Sequence, residues 1–175
     1  MSSEIDKLLR VIKEEIGYQI SEKNNKYEYD LKYVYNVIDK NMDVENYSQL
    51  FIIWCFIKTF GKIKAFELLN IPFDNTENLT ILQMQKMAQN AYKEFKMENS
   101  DYYYLYKSYF CDQIIYLKNQ NLKCGIITDI LSDTIKLVTI NDEMIISEIF
   151  LDRYDLKTNV ISLIKYIDVD NDEFL

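Results

Sequence analysis

The feature that most constrains the fold is a run of eight apolar residues from Leu50 to Ile57, the longest in the chain. Crossing a bilayer takes about 20 such residues, so this run is too short to span a membrane. A helix that is hydrophobic on every side is normally buried on every side. We therefore predict a central helix over residues 44–60, with Trp54 inside the core, and expect the rest of the chain to cover it.

Further helices are predicted on both sides of the central one. Apolar residues recur at spacings of three and four, which predicts helices over 3–20, 28–40 and 62–70 and another from about residue 78. Together with a last helix over 101–118 they form a bundle-like N-terminal part of five or six helices. We place this helical domain at residues 1–120.

The last predicted helix is rich in tyrosine, an amphipathic residue that is enriched at interfaces. Two aromatic stripes lie side by side along it, and only one of them can face its own domain. The second stripe is covered either by the C-terminal third of the chain or by a second copy of the protein. A homodimer through residues 102–116 is therefore left open beside an intramolecular core.

From Lys123 onward the pattern changes to the alternation of a β-sheet. The expected architecture is α+β, with a small acidic β domain over 121–175 that packs on the last helix. Its strands, separated by short turns, form an antiparallel meander. We predict strands over 125–131, 134–140, 144–149 and 159–167, with a short helical turn over 150–156.

The order of a glycine-containing strand, a short turn and two more strands resembles small SH3-like or Sm-like barrels. This resemblance implies a small closed barrel and covers about 25 residues. The Sm family binds RNA through basic and polar loop residues, whereas the corresponding segment here is acidic. The residues that carry the resemblance are Gly125, Ile127, Ile130, Asp133, Ile135 and Leu137.

The segment 61–71 resembles the first half of a helix-turn-helix of the Fis type, through Ala65, Leu68, Leu69 and Ile71. This resemblance implies DNA binding, which requires basic side chains near the motif. The alternative function is thus a helix-turn-helix nucleic-acid-binding regulator with a C-terminal dimerisation or sensing domain. Its candidate nucleic-acid-binding residues are Lys58, Lys62 and Lys64.

The composition excludes several kinds of active site. The chain has no His, which removes the commonest general base and metal ligand, and only three Gly, so a phosphate-binding loop is hard to build. Its three Cys are far apart and are expected to be small buried hydrophobic residues. We expect no enzyme, no metal and no cofactor. No targeting segment or membrane span is visible, and we expect a cytoplasmic protein.

The charge is concentrated in the last third of the chain. The net charge is −8, and residues 121–175 hold eleven acidic and five basic groups. We expect an intracellular protein-binding protein of the acidic inhibitor type, such as an immunity protein, an antitoxin or a phage-encoded (anti-defence) inhibitor of a nucleic-acid-handling enzyme. Its partner would be a basic protein. The candidate partner-binding residues are Asp142, Glu143, Asp168, Asp170, Asp172 and Glu173.

Overall fold

The structure, a computed structural model, describes residues 3–38, 40–41, 47–69 and 108–167. In these ranges helices pack against a five-stranded antiparallel sheet, which confirms the predicted α+β class. Every helix in the same ranges is too short or too polar to cross a membrane.

Helices cover most of the described N-terminal residues, and one more lies between two strands of the sheet. The first helix buries its apolar residues at spacings of three and four. The last is held at its start by a capping box between Asp152 and Asp155. The helices are α1 (Ser3–Glu14), α2 (Lys26–Tyr29), α3 (Tyr47–Phe60), α4 (Lys62–Leu69) and α5 (Arg153–Thr158), and a π-helical turn (Asp30–Val34) continues α2.

Helix α3 is the central helix that the apolar run predicts. Residues 49–57 are all buried, and Trp54 is 3% exposed. The Trp54 indole Nε1 donates a hydrogen bond of 2.8 Å to the Asp30 carboxylate, so its polar atom is satisfied inside the core. The predictions of a buried central helix and of a short helix from residue 62 are confirmed.

The helix predicted over 3–20 is shorter than expected, because α1 ends at Glu14. Gly17 has a φ of +97°, in the left-handed region that interrupts a helix and that glycine adopts without strain. Its N–H donates to the Ile146 carbonyl at 2.8 Å, and the Ile146 N–H donates to the Tyr18 carbonyl at 2.9 Å. Hydrogen bonds to the sheet therefore take the place of those that the last predicted helical turns would have made.

The helix predicted over 28–40 is also shorter and starts earlier. The Asn25 side chain caps α2 by accepting a hydrogen bond from the backbone N–H three residues on. The π-helical turn ends at Val34, and Asn36 has a φ of 53°. A left-handed residue cannot continue a right-handed helix, which explains the early end.

The first four strands of the sheet form an antiparallel meander, and the fifth strand pairs with the free side of the first. The strands are β1 (Gln113–Lys118), β2 (Asn121–Ile130), β3 (Ile135–Ile140), β4 (Ile146–Leu151) and β5 (Val160–Ile164). Their order in the sheet is β4-β3-β2-β1-β5, and each neighbouring pair is antiparallel. The predicted strands after residue 121 and the helical turn between the last two are confirmed.

Both faces of the sheet are covered. Alternate residues of a strand point to opposite faces, so each strand contributes to two hydrophobic clusters. The larger cluster joins the sheet to α1, α3 and α4, and its strand residues include Ile115, Cys124, Ile126, Val138 and Ile146. The smaller cluster includes Leu156 of α5 and the strand residues Ile114, Tyr116, Ile127, Ile135, Leu137 and Leu151.

The helix predicted over 101–118 is wrong in its last part, because Gln113–Lys118 forms β1. This strand lies between β2 and β5 and has Ile114 and Ile115 buried on opposite faces. A strand buried on both faces gives a continuous apolar run, which periodicity alone cannot distinguish from a buried helix. Residues 101–107, and the helix predicted from about residue 78, lie outside the described residues.

The predicted barrel is not confirmed, because the sheet is open: β4 and β5 are its two ends. The helix count of the N-terminal part is likewise not confirmed within the described residues. The boundary predicted after residue 120 falls in the β1–β2 turn, where Asn119 and Gln120 have φ of 51° and 65°. Positive φ at both central residues is typical of a type I′ hairpin turn.

Candidate functional site

The predicted acidic residues Asp142 and Glu143 lie in the turn between β3 and β4. The Asn141 side-chain oxygen accepts hydrogen bonds from the Glu143 and Ile145 N–H groups, at 2.9 and 3.0 Å. The backbone closes the same turn, since the Asn141 N–H donates to the Ile145 carbonyl at 2.9 Å. Both carboxylates are exposed. The turn therefore presents two acidic side chains on a fixed backbone.

A second element holds this acidic turn from outside the hairpin. The Ile20 N–H donates to the Met144 carbonyl at 2.8 Å, and Gln19 forms a bridge with Ile145. Asp142 forms a surface ion pair with Lys118 at 3.6 Å, which contributes little because both side chains are largely exposed. The backbone of the acidic turn is thus held on both sides, while its two carboxylates are exposed.

The other four predicted acidic residues, Asp168, Asp170, Asp172 and Glu173, lie outside the described residues. Their part in a common surface with Asp142 and Glu143 stays a prediction. The described chain ends at Ile167, which belongs to the larger hydrophobic cluster. The backbone that enters the acidic segment is therefore attached to the core.

All three predicted nucleic-acid-binding lysines lie over aromatic rings, with the Lys64 ammonium 5.2 Å from the Phe60 ring centroid. The Lys58 ammonium is 4.7 Å from the Trp54 ring centroid, and the Lys62 ammonium is 5.8 Å from that of Phe66. Lys62 also donates a long hydrogen bond of 3.4 Å to the Asn36 carbonyl. Such lysines pack their apolar stems on the protein and keep the charge at the surface.

The third predicted lysine, Lys64, forms an ion pair with Glu4 of α1. Its charge is therefore partly neutralised within the chain. Gly61 separates α3 from α4 with a φ of +83°, and α4 covers most of the segment 61–71 that resembles the first half of a helix-turn-helix. The segment that would hold the recognition helix lies outside the described residues.

A buried carboxylate that the sequence pattern did not single out lies at the end of α1. Glu15 is 7% exposed, accepts a hydrogen bond of 2.9 Å from the Tyr27 hydroxyl and forms an ion pair with Lys26. Burial is the main cause that raises the pKa of Tyr27 above its usual value, and the neighbouring Glu15 carboxylate raises it further. The rings of Tyr18, Tyr27 and Trp54 surround the Lys26 ammonium, with centroids at 4.5, 5.5 and 5.3 Å. This cluster ties the α1–α2 connection to α3.

A polar network crosses the core between the helices and the sheet. Gln113 Nε2 donates to Gln49 Oε1 at 2.6 Å, and the Tyr166 hydroxyl donates to Gln113 Oε1. Burial raises the pKa of Tyr166 well above its usual value, so the hydroxyl stays protonated. Gln113 and Gln49 are fully buried, so these hydrogen bonds fix the register of β1 against α3.

The three thiols are buried, as predicted. Burial raises the pKa of Cys55 and Cys111, and it raises that of Cys124 to about 12. Thiols that stay protonated at neutral pH are poor nucleophiles and poor metal ligands. Within the described ranges, no three His, Cys, Asp or Glu side chains come together in a way that could hold a metal ion.

Two exposed aromatic residues, at the far end of β4 and in α5, were missed at the sequence level. Phe150 of β4 is 56% exposed and Tyr154 of α5 is 69% exposed. Phe150 lies on the same face of β4 as the buried Ile146 and the exposed Glu148, so the alternation of the strand alone does not show that it is exposed. Exposed aromatic side chains such as these are candidate contacts for another protein.

The function has to be argued from this geometry. The chain was compared with protein-family models, with curated proteins and with solved structures. No family model, no curated protein and no solved structure matches it.

Proposed function

We propose that the chain is a non-enzymatic protein-binding protein of the acidic inhibitor type, whose partner is a basic protein. The observation that carries this proposal is the acidic turn, whose two exposed carboxylates stand on a backbone fixed by the Asn141 side chain. A surface that is already ordered loses little entropy when it binds. An immunity protein, an antitoxin or a phage-encoded inhibitor of a nucleic-acid-handling enzyme would use such a surface against a basic cleft.

The edge of the sheet extends this surface. Strand β4 follows the acidic turn directly and is an end strand of the sheet. Its outward side chains include Glu148 and Phe150, and Tyr154 follows in α5. Aromatic residues at the centre of an interface supply much of the affinity, and charged residues at its rim direct association. Asp168, Asp170, Asp172 and Glu173 are included in the proposed acidic surface.

The charge of the chain favours a basic partner over nucleic acid. The net charge is −8, and repulsion from phosphate groups opposes DNA or RNA binding at the acidic end. Attraction between an acidic and a basic protein speeds association and weakens as the salt concentration rises. The proposal therefore predicts a salt-sensitive protein complex that does not need nucleic acid.

Affinity capture from a nuclease-treated host lysate tests the proposal, with the Asp142→Asn/Glu143→Gln variant beside the wild-type chain. We expect mass spectrometry to find a basic protein that binds the wild type at low salt and leaves at high salt. The variant should retain at least about tenfold less of it, since each lost charged contact weakens binding. Purified partner then gives the affinity directly.

The matched control is Asp133→Asn/Glu67→Gln, which removes the same number of charges at exposed positions in the β2–β3 turn and in α4. It should retain the partner as the wild type does. Equal loss in both variants would mean that net charge alone drives the capture. A complex that both variants retain fully would contradict the role of the acidic turn.

The helix-turn-helix regulator is the second candidate, and the observation that favours it is that the segment 61–71, which resembles the first half of the motif, contains the helix α4. Its test is Lys58→Gln/Lys62→Gln, which leaves the ion pair between Lys64 and Glu4 intact. A DNA-binding chain should lose affinity in this variant and show a smaller salt dependence. Capture of nucleic acid alone, with no protein left after nuclease treatment, would favour this function over the inhibitor.

A further inference from the structure

An open cleft of about 490 Å³ lies where α1 passes the end of β2. Its volume is in the range of about 300–1,000 Å³ that is typical of small-molecule sites. The acidic turn and the predicted lysines do not contribute to it. It is lined by Asp6, Leu9, Arg10 and Lys13 of α1, Phe110, and Thr128 and Asp129 of β2.

The sheet side of the cleft is a β-bulge. Pairing with β3 shifts its register between Ile127 and Asp129, which leaves Thr128 as the extra residue. Thr128 is 1% exposed, and its hydroxyl has no hydrogen-bond partner among the described residues. A buried hydroxyl without a partner costs stability, so its place in a cleft lining indicates a ligand that would satisfy it.

The helix side of the cleft carries two cations. Arg10 and Lys13 are three residues apart on α1 and therefore lie on the same face of the helix. Among the residues that the structure describes, neither side chain forms an ion pair or a hydrogen bond. Two neighbouring unpaired cations beside a hydroxyl can bind a carboxylate.

The same cleft contains two carboxylates, Asp6 and Asp129, and an apolar wall of Leu9 and Phe110. A simple anion would meet both carboxylates, and a simple cation would meet Arg10 and Lys13. A ligand that carries both charges close together, next to an apolar group, satisfies the whole lining. We propose that this cleft binds a free α-amino acid with an apolar or aromatic side chain.

In this arrangement Arg10, Lys13 and the Thr128 hydroxyl bind the carboxylate of the amino acid. Asp129 or Asp6 binds its ammonium group, and its side chain packs against Leu9 and Phe110. The binding site is separate from the proposed protein-binding surface. It therefore adds small-molecule binding to a chain that the proposed function describes only as a protein binder.

The first test is a ligand series followed by NMR on the ¹⁵N-labelled full chain. L-Phenylalanine and L-leucine should shift the amide signals of residues 110, 128 and 129 in a saturable way. The compounds 3-phenylpropionate and phenethylamine each lack one of the two charges and should bind at least about tenfold more weakly. Equal binding of either compound, or no saturable shift with any amino acid, would overturn the proposal.

The second test uses variants that separate binding from folding. Thr128→Val keeps the shape and removes the unpartnered hydroxyl, so the melting temperature should hold or rise while affinity for phenylalanine falls. Arg10→Gln should weaken the same binding, and Lys7→Gln, an exposed change on the same helix, should not. Unchanged affinity in both Thr128→Val and Arg10→Gln would place the ligand elsewhere and contradict the proposal.

Discussion

At the scale of single residues, Asp112 is the most deeply buried carboxylate in the part of the chain that the structure describes. It is 3% exposed, and it accepts hydrogen bonds from Lys165 at 2.6 Å and from the Tyr109 N–H at 2.8 Å. Burial raises the pKa of Asp112 from 3.8 to about 6, although Lys165 and the Tyr109 N–H act in the opposite direction. The carboxyl therefore binds its proton more tightly in the folded chain than in the unfolded one.

A raised pKa gives Asp112 a defined effect on stability. Its contribution is fully present below the unfolded pKa of 3.8 and is lost as the pH rises through about 6. The loss is about 3 kcal/mol of unfolding free energy. Asp112→Asn should remove this dependence, so urea unfolding from about pH 4 to pH 7 should show a flatter profile than the wild type. Parallel profiles would mean that the carboxyl titrates normally.

At the scale of elements, the sequence predicts the strands after residue 121 well and the ends of α1 and β1 poorly. The later strands alternate and are separated by polar turns, so local pattern is sufficient. Strand β1 is buried on both faces, and its identity depends on pairing with β5, which is distant in the chain, as well as with the adjacent β2. The end of α1 depends on hydrogen bonds from Gly17 to the sheet. Such long-range contacts leave no local signal.

The candidate sites show the same limit. Asp142 and Glu143 could be placed in a turn from sequence, because Asn, Asp and Glu follow an alternating strand. The cleft could not be predicted, since Thr128 lines it only because β2 has a bulge against β3. The cations of the cleft, Arg10 and Lys13, look like any solvated helix face until the sheet is placed beside them.

The rigidity of the acidic turn can be tested as a property of this element. Asn141→Ala removes the acceptor for two backbone N–H groups and should lower the unfolding free energy by about 1–2 kcal/mol. Amide exchange at residues 143 and 145 should become faster. Asn141→Asp keeps the acceptor oxygen and should retain the slow exchange. Slow exchange in the alanine variant would show that the turn is ordered without this side chain.

At the scale of the whole molecule, the sheet connects two hydrophobic clusters. Strands β1, β2 and β3 supply side chains to the larger cluster with the helices and to the smaller cluster with α5. The sheet therefore packs directly against the described helices and is not joined to them by a linker alone. This arrangement predicts that residues on either side of position 120 unfold together.

Leu137→Ala tests this coupling from the face of the sheet that points away from α3. Leu137 is fully buried in the smaller cluster, and its truncation should lower the unfolding free energy by about 2–5 kcal/mol. Trp54, on the other side of the sheet, reports the helices by its fluorescence. We expect urea curves from Trp54 fluorescence and far-UV circular dichroism to shift together in this variant.

Leu117→Ala, at a position that is 37% exposed, should shift both curves much less. A Trp54 curve that stays at the wild-type midpoint while the circular dichroism curve moves would mean that residues 1–120 and 121–175 unfold as separate domains.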